Sequence, residues 1–119
     1  MEIMLDEKNG VVYVKPHAPL TVEDFKQFAS IIDPYISLHG YLKGLVIETP
    51  KFPGWDSIKA FKAHINFIHQ HQAKVKKIAL VTDFKFAIIF QHIVGLFIKP
   101  EIKRFSYDKK ELAQQWILQ

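Results

Sequence analysis

Two short apolar runs, LVI at residues 45–47 and KIALVT at residues 77–82, constrain this chain more than anything else in it. The first suits a strand buried on both faces, as in a parallel sheet with helices on either side. Parallel strands need a crossover between them, and residues 57–71 supply one with helical spacing. The same logic extends both ways. Ile3–Leu5 and Val11–Lys15 read as strands joined by a turn at residues 7–10, with Asn9-Gly10 as the hairpin signal. Thr21 caps a helix, with Asp24 three positions on, and Val22, Phe25, Phe28 and Ile32 follow at helical spacing. Pro34 is expected to kink or restart that helix at Asp33-Pro34, and His39-Gly40 to end it. Asp56 is the expected cap of the second helix. A third helix is expected over residues 84–98 and a fifth strand over residues 102–107. A last helix is expected to be capped by Asp108, with Glu111 completing the box and Leu112 and Trp116 facing inward. The expected fold is α/β: an open mixed sheet of about five strands, an N-terminal β-hairpin and about four helices.

At 119 residues, one domain spanning 1–119 is the natural reading. Cysteine is absent, which removes disulfide frameworks, thiol catalysis and Cys-type zinc sites. Hydrophobic residues make up 49% of the chain, enough for a packed core. The opening decapeptide lacks a basic region followed by an apolar core, so no signal peptide is read there, and a cytoplasmic location fits. The net charge of +4 comes from scattered lysines, and no RNA-binding or helix-turn-helix pattern accompanies it. Nucleic acid is not an expected partner.

The segment FKFAIIFQHIVGLFI, residues 84–98, is unusually apolar. It is too short to span a bilayer. On a helical projection Phe86, Ile89, Phe90, Ile93, Val94, Leu96 and Phe97 share an arc of roughly 200°. A helix on a sheet needs only a little over ~100° of apolar surface. The surplus calls for a second contact: more protein, a second subunit, an apolar ligand or lipid. Lys85, Lys99, Lys103 and Arg104 flank the segment as basic residues flank interfacial helices.

In the second helix Ile58, Phe61, Ile65 and Ile68 read as the core stripe. His64 and His71 fall within its apolar arc, where with Phe67 they would give a mostly apolar ligand a polar handle. The histidines at 64, 69 and 71 lack the i, i+4 spacing of a helical zinc pair, so no metal is expected. Gly54-Trp55 marks a loop in which glycine allows a positive φ and Trp55 plugs the start of the helix or stacks on a ligand. Ser30, Ser37, Ser57 and Ser106 sit in no nucleophile elbow, and no glycine-rich phosphate loop exists. An enzyme is not expected, nor a cofactor.

The residues FPGWDSIKAF, the following helix ending His-Gln-His, the strand KKIALVTD and the ending IKRFSYDKKELAQQWI resemble the SpoIIAA-like family, a branch of the STAS superfamily. The resemblance covers nearly the whole chain. It implies a STAS-like fold, related in shape to lipid-carrier domains of the CRAL-TRIO type, and points to apolar-ligand binding and membrane association. STAS regulators of the anti-sigma-factor-antagonist kind carry a phosphorylated serine in Asp-Ser-Ser-Gly at the start of the equivalent helix. Here Asp56-Ser57 stand in that place, followed by Ile58 and Lys59 instead of serine and glycine.

Two expectations result. One is a carrier for an apolar or lipid-like molecule, peripheral to the membrane through residues 84–98. It would be lined by Trp55, Phe61, His64, Phe67, Ile68, His71, Phe86, Ile89, Phe90, Ile93 and Phe97. The other is a STAS-type protein-interaction module, with Ser57 as phosphoswitch or a homodimer using residues 84–98.

Overall fold

The computed structural model describes residues 1–85 and 98–119. The body of the helix expected over 84–98, with Phe86, Ile89, Phe90, Ile93 and Phe97, lies outside the described residues.

Strands β1 (Glu2–Asp6), β2 (Val11–Lys15), β3 (Leu42–Glu48), β4 (Val75–Val81) and β5 (Glu101–Phe105) form one sheet in the order β1-β2-β3-β4-β5. The β1–β2 pair is antiparallel and the others are parallel, so the expected mixed sheet with an antiparallel edge is present. In the hairpin turn the Asp6 carboxylate accepts from the Asn9 backbone and side chain, and Gly10 takes φ 69°.

Three α-helices stand among the described residues, where about four were expected: α1 (Val22–His39), α2 (Ile58–His71) and α3 (Lys110–Leu118). Helix α1 starts in a complete capping box. Asp24 N–H donates to Thr21 Oγ1 at 3.1 Å and Thr21 N–H to the Asp24 carboxylate at 2.9 Å. It ends at Gly40, φ 90°, whose N–H reaches the Ile36 carbonyl. Contrary to expectation it does not restart at Asp33-Pro34. Ile32 and Ile36 are buried on either side of Pro34, and that anchoring carries the helix past the missing N–H.

The two faces of the sheet carry separate cores. Phe28, Ile32 and Ile36 of α1 pack on Val12, Val14, Leu42 and Val75. On the opposite face Ala113 and Ile117 of α3 pack on Val11, Val46, Ala79, Val81 and Phe105. Adjacent valines of β2 thus go to different cores, as strand alternation requires. Asp108 does not cap α3. The residue preceding the helix is Lys109, and its side chain makes no capping bond. Leu112 is exposed; Ala113 and Ile117 face inward instead, with Trp116 half-buried beside them.

Candidate functional site

Helix α2 carries most of the residues singled out in the sequence, and the structure sorts them onto two sides. At 100° per residue Ala60, His64, Phe67 and His71 form one row. This row, and not Ile58, Phe61, Ile65 and Ile68, faces α1. Ala60 is wholly buried, whereas Ile58 is 75% exposed, Phe61 43% and Ile65 49%. Of the expected core stripe, Ile58, Phe61 and Ile65 therefore form an outer row, and Ile68 is half-buried. Tertiary packing overrode hydrophobicity here, because the aromatic side chains of α1 accept the rings of His64 and Phe67.

The loop before α2 fixes its start. Gly54 adopts φ 80°, as its sequence position implied, and an added β-carbon would meet nothing within 4 Å; only the backbone conformation calls for glycine. Leu20 N–H donates to the Gly54 carbonyl at 2.8 Å and Asp56 N–H to the Leu20 carbonyl at 3.0 Å. A parallel bridge between Leu20 and Trp55 thus ties this loop to the segment that leads into α1. The cap of α2 is Ser57 and not Asp56: its hydroxyl accepts from the Ala60 N–H at 3.0 Å. Asp56 and Ser57 are both exposed.

Trp55 sits at the centre of an aromatic group. Phe52 and Phe61 meet its ring edge-on, with centroids at 5.1 and 4.8 Å. Its indole Nε1–H donates to His64 Nδ1 at 3.0 Å. That bond needs a lone pair on Nδ1, so the His64 ring is neutral with its proton on Nε2. Phe25 stacks on the ring at 4.8 Å and 23°. Burial pushes His64 down from the ordinary 6.5 to about 4.

His71, two turns on, has a different setting. Nδ1 lies 2.8 Å from the Phe67 carbonyl and Nε2 lies 2.7 Å from Asp33 Oδ1 of α1. Its ring stacks on Phe67 at 4.1 Å. An open groove of about 320 Å³ runs here, lined by Asp33, Ile36, Ser37, Gln70, His71 and Lys74. Five of these six residues are polar, so the groove does not offer the apolar lining expected around His71. His64 and His71 share a row, but His64 does not line the groove beside His71. Asp33 and Phe25 were not foreseen as their partners: Asp33 reads locally as a helix start, and Phe25 as ordinary core.

Ile68 is half-buried beside the outer row. Three lysines surround the α2 start, Lys51, Lys59 and Lys62, all exposed. Among the described residues none of them takes part in an ion pair. Among the described residues no group of three His, Asp or Glu side chains is placed to hold a metal ion, and no helix is long and apolar enough to cross a membrane.

A crystal structure of an uncharacterized protein of the DUF3478 family with a SpoIIAA-like fold, from Shewanella loihica PV-4, superposes with a TM-score of 0.72 at 19% identity. The match covers 98% of this chain and 90% of that one, and at this identity it speaks for the fold alone. No curated protein matches the chain. The family model for SpoIIAA-like proteins matches residues 11–118, from the second strand to the last helix, and the chain belongs to the SpoIIAA-like family.

Proposed function

We propose that the protein is a non-catalytic, STAS-type protein-interaction module whose contact surface is the start of α2: the loop from Lys51, the Asp56-Ser57 pair and the outer row Ile58, Phe61 and Ile65. The observation that carries this reading is the outer row itself. Three large apolar side chains stand exposed on one side of a helix whose other side is already seated on α1. Scattered exposed apolar residues need no explanation, but a row beside a family's regulatory position does. Ser57 lies at the head of that row, exposed and engaged as the cap. A phosphate there would meet the positive end of α2 and the neighbouring Lys59, so modification would change the charge of the surface without unseating the helix.

The carrier reading has weaker support. The groove beside His71 is open and mostly polar, unlike the apolar pockets that take lipids.

The test is a photo-crosslinking side chain placed at Ile58, with a control at the exposed Leu112 of α3, in the cells the protein comes from. The expected result is one protein adduct at position 58 and none at 112. With both partners purified, affinity should fall at least ~tenfold in Ile58→Asp and change again in Ser57→Glu. Identical adducts at both positions, or a stoichiometric lipid in native mass spectrometry, would overturn the reading.

A further inference from the structure

We infer that the partner seated on this surface presents an acidic amphipathic helix. The inference rests on the interaction reading above and adds the chemistry of the partner. Ile58, Phe61 and Ile65 stand at i, i+3 and i+7, the spacing of anchors along a helix-on-helix seam. The row is about 10 Å long, roughly two turns. That suits one helix lying alongside better than a broad surface such as a bilayer, which rewards larger apolar area.

The charges select the partner. Helix α2 contains no acidic residue anywhere from Ile58 to His71, while Lys59 and Lys62 are exposed on it. Across residues 51–77 there are six lysines and one acidic residue, Asp56. The first turns of the other helices follow the usual rule: α1 has Glu23 and Asp24 there, and α3 has Glu111. In α2 that turn holds Lys59, against the helix dipole. A cation placed where it weakens its own helix, and left without an ion-pair partner among the described residues, breaks a local rule with no internal gain. Carboxylates on the flanks of an incoming helix would meet Lys59 and Lys62, as charged flanks set partner choice in coiled coils.

The probes are three synthetic amphipathic helices of ~21 residues, about three heptads, sharing one leucine seam. Their flanks carry only Glu, only Gln or only Lys. Fluorescence anisotropy would measure binding to the full chain. The Glu peptide should bind best, weaken with added salt, and lose roughly tenfold affinity against Lys59→Glu/Lys62→Glu. That variant should instead prefer the Lys peptide. Circular dichroism checks that it folds. Equal binding of the Gln and Glu peptides, with no exchange of preference, would overturn the acidic partner while leaving the surface in place. So would binding of none of the peptides while Ile58 crosslinks a protein. Binding to vesicles of anionic phospholipid but to no peptide would replace the partner by a membrane. Failure of a cysteine reagent to reach Ile58→Cys in the folded chain would remove both the surface and its partner.

Discussion

Helices α2 and α3 belong to opposite sides of one sheet and are held by different means, α2 chiefly on α1 and α3 directly on the strands. Helix α3 is seated by apolar fit, with lysines only at its margins: Lys43 and Lys77 donate to the Leu118 and Trp116 carbonyls, and Lys110 pairs with Glu48. Ala113 and Ile117 are wholly buried, and Ile117 lies over Gly44 of β3, where an added β-carbon would come within 2.6 Å of its Cγ2. Helix α2 has one buried residue, Ala60, and is otherwise held by stacked rings and two histidines. Close packing leaves α3 one position. The polar and aromatic seat of α2 holds the helix while leaving a hydrophobic row free, which is what a contact surface requires.

The comparison breaks first at Ile117. Ile117→Ala should cost about 3–4 kcal/mol in urea unfolding, the ordinary cost of a buried cavity that cannot collapse. Gly44→Ala should destabilise by ~1–3 kcal/mol through overpacking. The double change Gly44→Ala/Ile117→Val should recover part of that, giving a non-additive cycle. Additive costs would mean that the two residues do not share a space.

The second test bears on α2. The folded state holds His64 near 4 against 6.5 when free, so the unfolded chain takes up its proton first as pH falls. Stability should be fully present above pH 6.5 and lost as pH drops toward 4, by up to ~3 kcal/mol. His64→Phe should flatten that part of the pH profile, and Ile117 variants should leave its shape unchanged. A profile that His64→Phe does not alter would place the acid sensitivity elsewhere.

The smallest effects separate the two sides of α2. Ser57→Ala should cost ~1 kcal/mol through loss of the cap, whereas Ile58→Gln should change stability by under about 0.5 kcal/mol. A larger loss at Ile58 would move it from the outer row to the core.

Hairpin and capping box were legible because each depends on neighbours a few residues away, and the sheet because its strands and crossovers alternate along the chain. The alternation of strand and helix predicted the parallel strands, Asn9-Gly10 the turn, and Thr21 with Asp24 the start of α1. The inward side of α2 was not legible. Hydrophobicity favoured Ile58, Phe61, Ile65 and Ile68, and nothing local announces that Phe25 stacks on His64 or that Asp33 meets His71 across 38 positions. Cap positions failed by one residue, at Asp56-Ser57, where either side chain can cap, and at Asp108-Lys109, where the residue before the helix makes no side-chain cap bond. Leu112 was misplaced because helical phase in α3 is set by Ala113 fitting the sheet, and alanine gives little signal in a hydrophobic pattern.

One feature of the sheet bears on how the chain is made. Strand order equals chain order, so each strand pairs with the one synthesised just before it. During translation the growing edge is always the next docking site, and no strand has to wait for a distant partner or insert between two already paired. The hairpin β1–β2 forms the template, and the parallel strands are added one at a time. The outer edge of β1 stays unpaired throughout, so the sheet always grows at its other edge, where each new strand covers the edge left by the one before it.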